Sequence, residues 1–271
     1  MAQTHQDLTL FDQRGWWDQR CRAFASLRRV SAFRIGLLRR WLGDDWRGQK
    51  VVDLGCGGGL LSLPLARLGA RVVGVDLARQ ALHEAQQEAR AHGDAFRPAC
   101  GTLLQAPLAD GCADVALLAD VVEHVPEPER AVAEAARVLR VGGHLFVNTI
   151  DRTLRSRLLA IWLGEGLGLI PRRTHDWRLF VRPGELEAMA QRAGLVQREI
   201  VGEAPRLLTT VRRWTIELRE SRSTAVGYAA LFQKRPCSRS DPVPETGAVT
   251  GRHPNGPCDS LLCAPRPRPK A

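Results

Sequence analysis

Lysine is nearly missing from this chain of 271 residues: only three of its 39 basic residues are lysine, at Lys50, Lys234 and Lys270. Aromatic residues are sparse at 6%, and no recognised nucleic-acid motif interleaves them with the arginines, so a stacking platform for single strands is not expected. No apolar run approaches the roughly 20 residues that a membrane-spanning helix needs. The polar start, Met1 to Asp7, lacks the apolar core of a secretory signal, and the expected compartment is the cytoplasm. CxxC pairs are absent too. The seven cysteines, Cys21, Cys56, Cys100, Cys112, Cys237, Cys258 and Cys263, are scattered and odd in number, which fits free thiols and predicts neither a zinc site nor a structural disulfide.

The hydrophobic fraction of 44% and charged fraction of 25% are those of a globular protein. The length suits one α/β domain with decorations. A formal net charge of +10 favours anionic partners, whether nucleic acid, an acidic lipid surface or phosphate-bearing ligands, without selecting among them. Arginine-rich composition also produces such a charge as a plain solvated surface.

From Phe11 to Arg40, residues Trp16, Trp17, Phe24, Leu27, Val30, Phe33, Leu37 and Leu38 recur at three- and four-residue steps. This spacing predicts one or two amphipathic helices in an amino-terminal segment, 1–40. The strand Val51-Val52-Asp53-Leu54 then runs into Gly55-Cys56-Gly57-Gly58-Gly59, a helix over Leu60 to Leu68 and a stop at Gly69. A second strand, Arg71 to Val75, ends on Asp76 and gives way to a helix over Ala78 to Ala91. Strands near Ala113 to Leu118 and His144 to Thr149 flank a helix over Pro128 to Leu139. After an irregular insertion, 152–182, a helix over Pro183 to Ala193 precedes strands over Leu195 to Gly202 and Thr224 to Gln233. The alternation predicts a Rossmann-like, doubly wound α/β fold: a mostly parallel seven-stranded sheet, helices on both faces and an antiparallel edge hairpin. The catalytic domain is expected over 41–235, and the Pro- and Arg-rich tail, 236–271, cannot offset the entropy of ordering and is expected to be disordered.

A glycine loop between strand and helix lets the backbone come close to a ligand. Asp53 in this one departs from the dinucleotide fingerprint, whose loop must accept a doubly anionic pyrophosphate. An acid there favours a ligand with a cationic part. S-adenosylmethionine carries an ammonium and a sulfonium, and Asp76, ending the second strand, is placed to accept both hydrogen bonds of a ribose diol. A lone glycine loop is often a tight turn without a ligand, but the ordered set of strand, Asp53, Gly55, Gly57, strand and Asp76 is more specific.

At these residues the chain resembles class I S-adenosylmethionine-dependent methyltransferases, whose hallmark is Val-x-Asp-x-Gly-x-Gly-x-Gly. Four further segments resemble the ubiquinone-biosynthesis O-methyltransferases: Trp16-Trp17-Asp18 with Phe33-Arg34, the run from Asp120 to Pro126, Asn148-Thr149 with Arg152-Thr153-Leu154, and Thr174-His175-Asp176-Trp177. The resemblance spans Phe11 to Lys234. It implies methylation of a phenolic hydroxyl on a polyprenylated catechol-type ring, cofactor contacts at Arg34, Gly55, Asp76 and Ala119, and a divalent cation, usually magnesium, at Asp120, Glu123 and His124. Asp120 stands where the family more often has Glu, Phe33-Arg34 lacks the usual preceding Asn-Pro, and Gly101-Thr102 replaces an acid that many relatives place near the adenine amino group.

If a helix or turn begins after Ala119, then Asp120, Glu123 and His124 fall at i, i+3 and i+4 on one face. Two carboxylates and an imidazole can bind a hard cation that holds both catechol oxygens and lowers the pKa of the attacking hydroxyl. In the metal-free alternative His124, beside Asp120, is the general base. In the structural alternative Asp120 caps a helix and His124 is satisfied inside the fold. His175 and Asp176 form a second candidate pair that closes over the acceptor, or else belong to a loop around a buried aromatic.

Leu158 to Ile170 is apolar on nearly all sides, with Arg152, Arg155, Arg157, Arg172, Arg173 and Arg178 crowding its ends. Such a segment can lie peripherally on an anionic membrane surface, where a prenylated phenol resides, or it can be an ordinary lid. A soluble phenolic metabolite is the rival acceptor. A non-catalytic cofactor sensor and a nucleic-acid-binding protein are the rival classes, and the oligomeric state is left open.

Overall fold

Residues 11–22, 24–169 and 174–236 are described by the computed structural model of the chain. Their strands are β1 (Lys50–Leu54), β2 (Arg71–Asp76), β3 (Phe96–Cys100), β4 (Ala113–Ala119), β5 (Leu139–Ile150), β6 (Leu195–Pro205), β7 (Leu218–Ser221) and β8 (Gly227–Lys234). The helices are α1 (Ala25–Leu42), α2 (Ser62–Arg67), α3 (Arg79–His92), α4 (Pro128–Val138), α5 (Pro183–Arg192) and α6 (Leu207–Arg213). All eight strands join one sheet in the order β3-β2-β1-β4-β5-β8-β6-β7. Neighbours among β1 to β5 pair in parallel, while β8 runs antiparallel to β5 and β6, and β7 antiparallel to β6.

Successive strand side chains point to opposite faces, so a strand buried on both sides reads as continuously apolar. In β4, Val115 and Leu117 pack with Val51, Phe146 and Leu231, whereas Ala116 and Leu118 pack with Val52, Leu145 and Phe232. Leu37, Leu38, Leu63, Leu65 and Leu82 of α1 to α3 close the first core, and Ala131, Val132, Ala135, Leu186 and Ala190 of α4 and α5 close the second. Each leucine or valine buried in this way contributes about 1.5–3 kcal/mol. That packing fixes the carboxyl ends of β1, β2 and β4. Between β1 and β4 the chain reverses its direction of travel across the sheet, the switch point where such sheets open a crevice.

The strand count is eight rather than seven. The two closing strands do pair antiparallel, from Leu195↔Lys234 to Glu203↔Gly227, but β8 lies inside the sheet and the short β7 forms the edge. β3 carries Pro98 at the opposite edge, a residue that weakens any strand signal. Of the described residues of the amino-terminal segment, Asp12 to Arg22 are not helical, and a long helix begins at Ala25. Before it, Gly15 adopts φ +101, and the amides of Gly15 and Trp17 donate to Glu84 on α3 instead of to helical carbonyls. The insertion winds one turn, Leu154–Ser156, and then π-helical turns over Arg157–Glu165. Arg172 and Arg173, and the tail after Pro236, lie outside the described residues.

Candidate active site

At the switch point a cleft of about 580 Å³ is lined by eight of the nine residues read in the sequence as cofactor, metal or catalytic positions, Arg34, Asp53, Gly55, Gly57, Asp76, Ala119, Asp120 and His124, and by His175 of the second candidate pair. Asp76 ties the glycine loop to the end of β2. Its carboxylate accepts from the Gly57 amide at 2.7 Å and the Ala78 amide at 2.8 Å, and burial raises its pKa while those amides oppose the rise. Asp53 sits deeper, 2% exposed, and accepts from the Ser62 hydroxyl of α2 at 2.7 Å. Burial pushes it up to about 7, the Ser62 bond opposing and Asp76 adding to the rise.

Trp16 closes over the loop. A Cβ on Gly58 would lie 2.2 Å from Trp16 Cγ, and one on Gly57, itself at φ +49, would lie 2.6 Å from the ring. Glycine there is a condition of the close approach. Trp16 stacks on Phe24 at 4.3 Å, and the Trp17 indole donates to the Gly58 carbonyl at 2.8 Å.

Arg34, from α1, is buried between two carboxylates. Its Nε and Nη2 donate to Glu203 Oε1 and Oε2 at 3.2 and 3.0 Å, and its Nη1 pairs with Asp120. Burial opposes the guanidinium charge, but Asp120 and Glu203 outweigh it and raise the pKa. Burial also raises Glu203, against the pull of Arg34. Asp120 has φ +53, a left-handed conformation that costs a non-glycine residue on the order of 1–3 kcal/mol. It is held there by Asn148, whose Nδ2 donates to Asp120 Oδ1 at 2.8 Å and whose carbonyl accepts the Asp120 amide.

Glu123 stands behind the cleft wall, 1% exposed. Its Oε2 accepts from Thr149 Oγ1 at 2.7 Å, and its Oε1 has no hydrogen-bond partner among the described residues. Burial, reinforced by Asp120, pushes it up to about 8. His124 is pushed down to about 4 by burial and by His175, so it is neutral at pH 7. The two imidazoles stack with centroids 5.5 Å apart, and Phe11 lies 6.1 Å from the His124 ring. His175 Nδ1 is 3.1 Å from Glu165 Oε1. Asp176 turns outward to the Arg178 amide and guanidinium, so the expected His175 and Asp176 pair does not form in the cleft.

The helix or turn expected after Ala119 is a single 3₁₀ turn, Val122–His124, and it sends Asp120 and His124 to the cleft while Glu123 stays behind the wall. Asp120 is committed to Arg34 and Asn148, and Oε2 of Glu123 to Thr149. Among the described residues no three His, Cys, Asp or Glu side chains form a group able to hold a metal ion. In this arrangement the donor set does not fit a divalent cation. The loop and its acids do fit a nucleoside carrying an amino acid: glycines too close to Trp16 for any Cβ, a carboxylate at the β2 end, and a buried guanidinium across the cleft.

Glu203, Ser62 and Glu165 escaped the sequence reading. Glu203 among Ile200, Val201, Gly202 and Ala204 in β6, and Glu165 inside the apolar insertion, were the available signals, since acids are almost never buried unpaired.

Residues 52–147 match a family model described as a methyltransferase domain. The chain is 37% identical over 222 residues to the ubiquinone biosynthesis O-methyltransferase of Cupriavidus pinatubonensis, covering 81% of this chain and 85% of that one. It is 35% identical over 230 residues to the ubiquinone biosynthesis O-methyltransferase of Parvibaculum lavamentivorans, covering 81% and 88%. Among solved structures, a SAM-dependent methyltransferase of Thermotoga maritima superposes with a TM-score of 0.62 at 21% identity, covering 84% of this chain and 99% of that one. At that identity the likeness is one of fold.

Proposed function

This chain belongs to the ubiquinone biosynthesis O-methyltransferase family and is an S-adenosylmethionine-dependent methyltransferase, and from that premise we propose that it methylates a phenolic hydroxyl of a polyprenylated, ubiquinone-type catechol. The observation that carries the reading is that one cleft joins the glycine cradle, the neutral imidazole of His124 and an apolar wall including Leu27, Leu159, Leu167, Leu169 and Val211. Such a wall suits an acceptor with a hydrocarbon tail and excludes water from the reacting groups.

Arg34, Gly55, Gly57, Asp76 and Ala119 would hold S-adenosylmethionine, with Asp53 supporting the loop from behind. When bound, the cofactor supplies an electrophilic methyl group on a sulfonium. Asp76 offers its carboxylate to the ribose hydroxyls, and Arg34 offers the N–H groups not used by Glu203 and Asp120 to the amino-acid carboxylate. His124 takes the phenolic proton on a ring nitrogen, and the negative charge of Asp120 favours the imidazolium that results. No step is assigned to a cation. The insertion, 152–182, supports a peripheral contact with an anionic membrane surface through Arg152, Arg155 and Arg157. Among the described residues no helix is long and apolar enough to cross a membrane.

Mass spectrometry of prenylated catechols and of soluble phenols, incubated with protein and S-adenosylmethionine, tests the reading. A gain of one methyl group on the prenylated catechols is expected. Methylation confined to soluble phenols would transfer the assignment to a soluble metabolite.

A further inference from the structure

An acid buried inside an apolar stretch persists only where something pairs with it. Glu165 is the sole acid of 154–169, and it is 7% exposed. Its Oε1 accepts from the His175 amide at 3.0 Å and stands 3.1 Å from His175 Nδ1. Phe180 meets the His175 ring edge-on with centroids 5.8 Å apart, and His124 stacks on it at 5.5 Å. Three neighbours therefore fix one imidazole that proton transfer to His124 does not use.

The fixing is directional. A carboxylate only accepts, so the bond to Glu165 puts the His175 proton on Nδ1 and leaves Nε2 of the neutral ring as an acceptor. That nitrogen has no hydrogen-bond partner among the described residues, and His175 lines the cleft with His124 and Thr174. Asp176, the neighbour expected to accompany His175, is turned to Arg178, and the orienting acid comes from the insertion instead. Two imidazoles side by side offer the cleft two acceptors, one more than a single phenolic hydroxyl can fill.

We propose that His175 binds the non-reacting hydroxyl of an ortho-diphenol through Nε2 while the reacting hydroxyl faces His124, and that Glu165 is the positioning residue that keeps this nitrogen bare. The oxygen facing His124 loses its proton and gains the methyl group. Its neighbour keeps its proton and stays a hydroxyl. With the apolar wall fixing the tailed end of the ring, the order of the two imidazoles decides which oxygen is methylated. This choice rests on the proposed phenolic acceptor, whereas the Glu165–His175 tautomer does not require it.

The full chain, labelled with heavy nitrogen in histidine and free of donor and acceptor, is examined by proton–nitrogen correlation spectra. His175 is expected to carry its proton on Nδ1, its signal identified by loss in His175→Phe. Glu165→Leu should release the tautomer, and Glu165→Gln, whose amide oxygen still accepts, should keep it. With S-adenosylhomocysteine bound, calorimetry is expected to find an alkylcatechol held about tenfold more tightly than the matching alkylphenol, the size of one hydrogen bond. His175→Phe, which retains a ring to stack on His124, should show no such preference. Turnover should give one monomethyl ether with the wild type and both ethers with His175→Phe or Glu165→Leu. If Glu165→Leu does not fold, His175→Phe and Glu165→Gln decide alone. A wild-type proton on Nε2, a catechol preference that survives in His175→Phe, or a single ether from every variant overturns the proposal and leaves the reaction standing. If catechols bind with the expected preference and no methyl group is transferred, the proposed reaction fails and the His175 contact does not. If no catechol binds, both fail.

Discussion

Arg34 on α1 and Glu203 on β6, 169 positions apart in the chain, form a two-bond clamp buried at the cleft wall, with Asp120 on the remaining side of the guanidinium. The clamp joins the amino-terminal helix to the carboxyl-terminal half of the sheet, so it fixes the site and the fold together. Removing one partner of a buried ion pair leaves an uncompensated charge and costs about 3–5 kcal/mol. Arg34→Met is expected to lose stability of that size in denaturant unfolding, and to lose at least about tenfold in S-adenosylmethionine affinity by calorimetry. Adding Glu203→Met to it should recover part of the stability and none of the affinity. Recovery of both would reduce Arg34 to a structural role.

His124 is neutral down to about pH 4 because burial and His175 disfavour its charge. A base with that pKa stays available well below the ordinary histidine value near 6.5. The acid limb of kcat/KM is therefore expected below pH 6, and His124→Gln should lower kcat by about 10²–10⁴ while cofactor binding holds. An acid limb centred at 6.5, or a His124→Gln enzyme with wild-type kcat, counts against His124 as the proton acceptor.

Glu123 ionises near 4.5 when unfolded and near 8 in its buried place behind the wall. Between those values the folded chain holds a proton that the unfolded chain has released, so stability is full below the lower value and is lost as pH rises through the upper one. His124 contributes the opposite slope between about 4 and 6.5, which a comparison of two proteins sharing His124 removes. Relative to wild type, Glu123→Gln is expected to gain stability from pH 5 to pH 8, at up to about 1.4 kcal/mol per pH unit. Parallel stability curves for the two proteins would mean that Glu123 is ionised in the fold.

Much of this arrangement was legible because its signals are local. Val51 to Gly59 reads as strand, acid and glycines within nine residues, and Asp76 follows at the end of the next apolar run. The parallel sheet was legible because a strand buried on both faces must be apolar along its buried stretch, as β4 is from Val115 to Leu118. What failed to show was long-range. Nothing near Arg34 announces Glu203, and the role of Asp120 depends on Asn148 beside it in the sheet, which no helical periodicity reports. The helix expected around Trp16 and Trp17 gave way because Glu84, 69 positions after Gly15, takes the amides that a helix would have used.

That strap yields the last prediction. Trp16 is 6% exposed and lies so close to Gly58 that a methyl group there would overlap its indole, 2.2 Å from Cγ. Either Trp16 moves or the loop does, and both disturb the cradle. Gly58→Ala alone is expected to weaken S-adenosylmethionine binding at least about tenfold and to shift the tryptophan emission to the red as Trp16 enters solvent. In a Trp16→Ala background the same substitution has no ring to strike, so its effect on stability should shrink by about 0.5–3 kcal/mol, the coupling expected between residues in contact. Denaturant midpoints of the four proteins in this cycle measure that coupling. Additive effects would place the cost of Gly58→Ala in the loop backbone and leave the Trp16 contact without energetic weight.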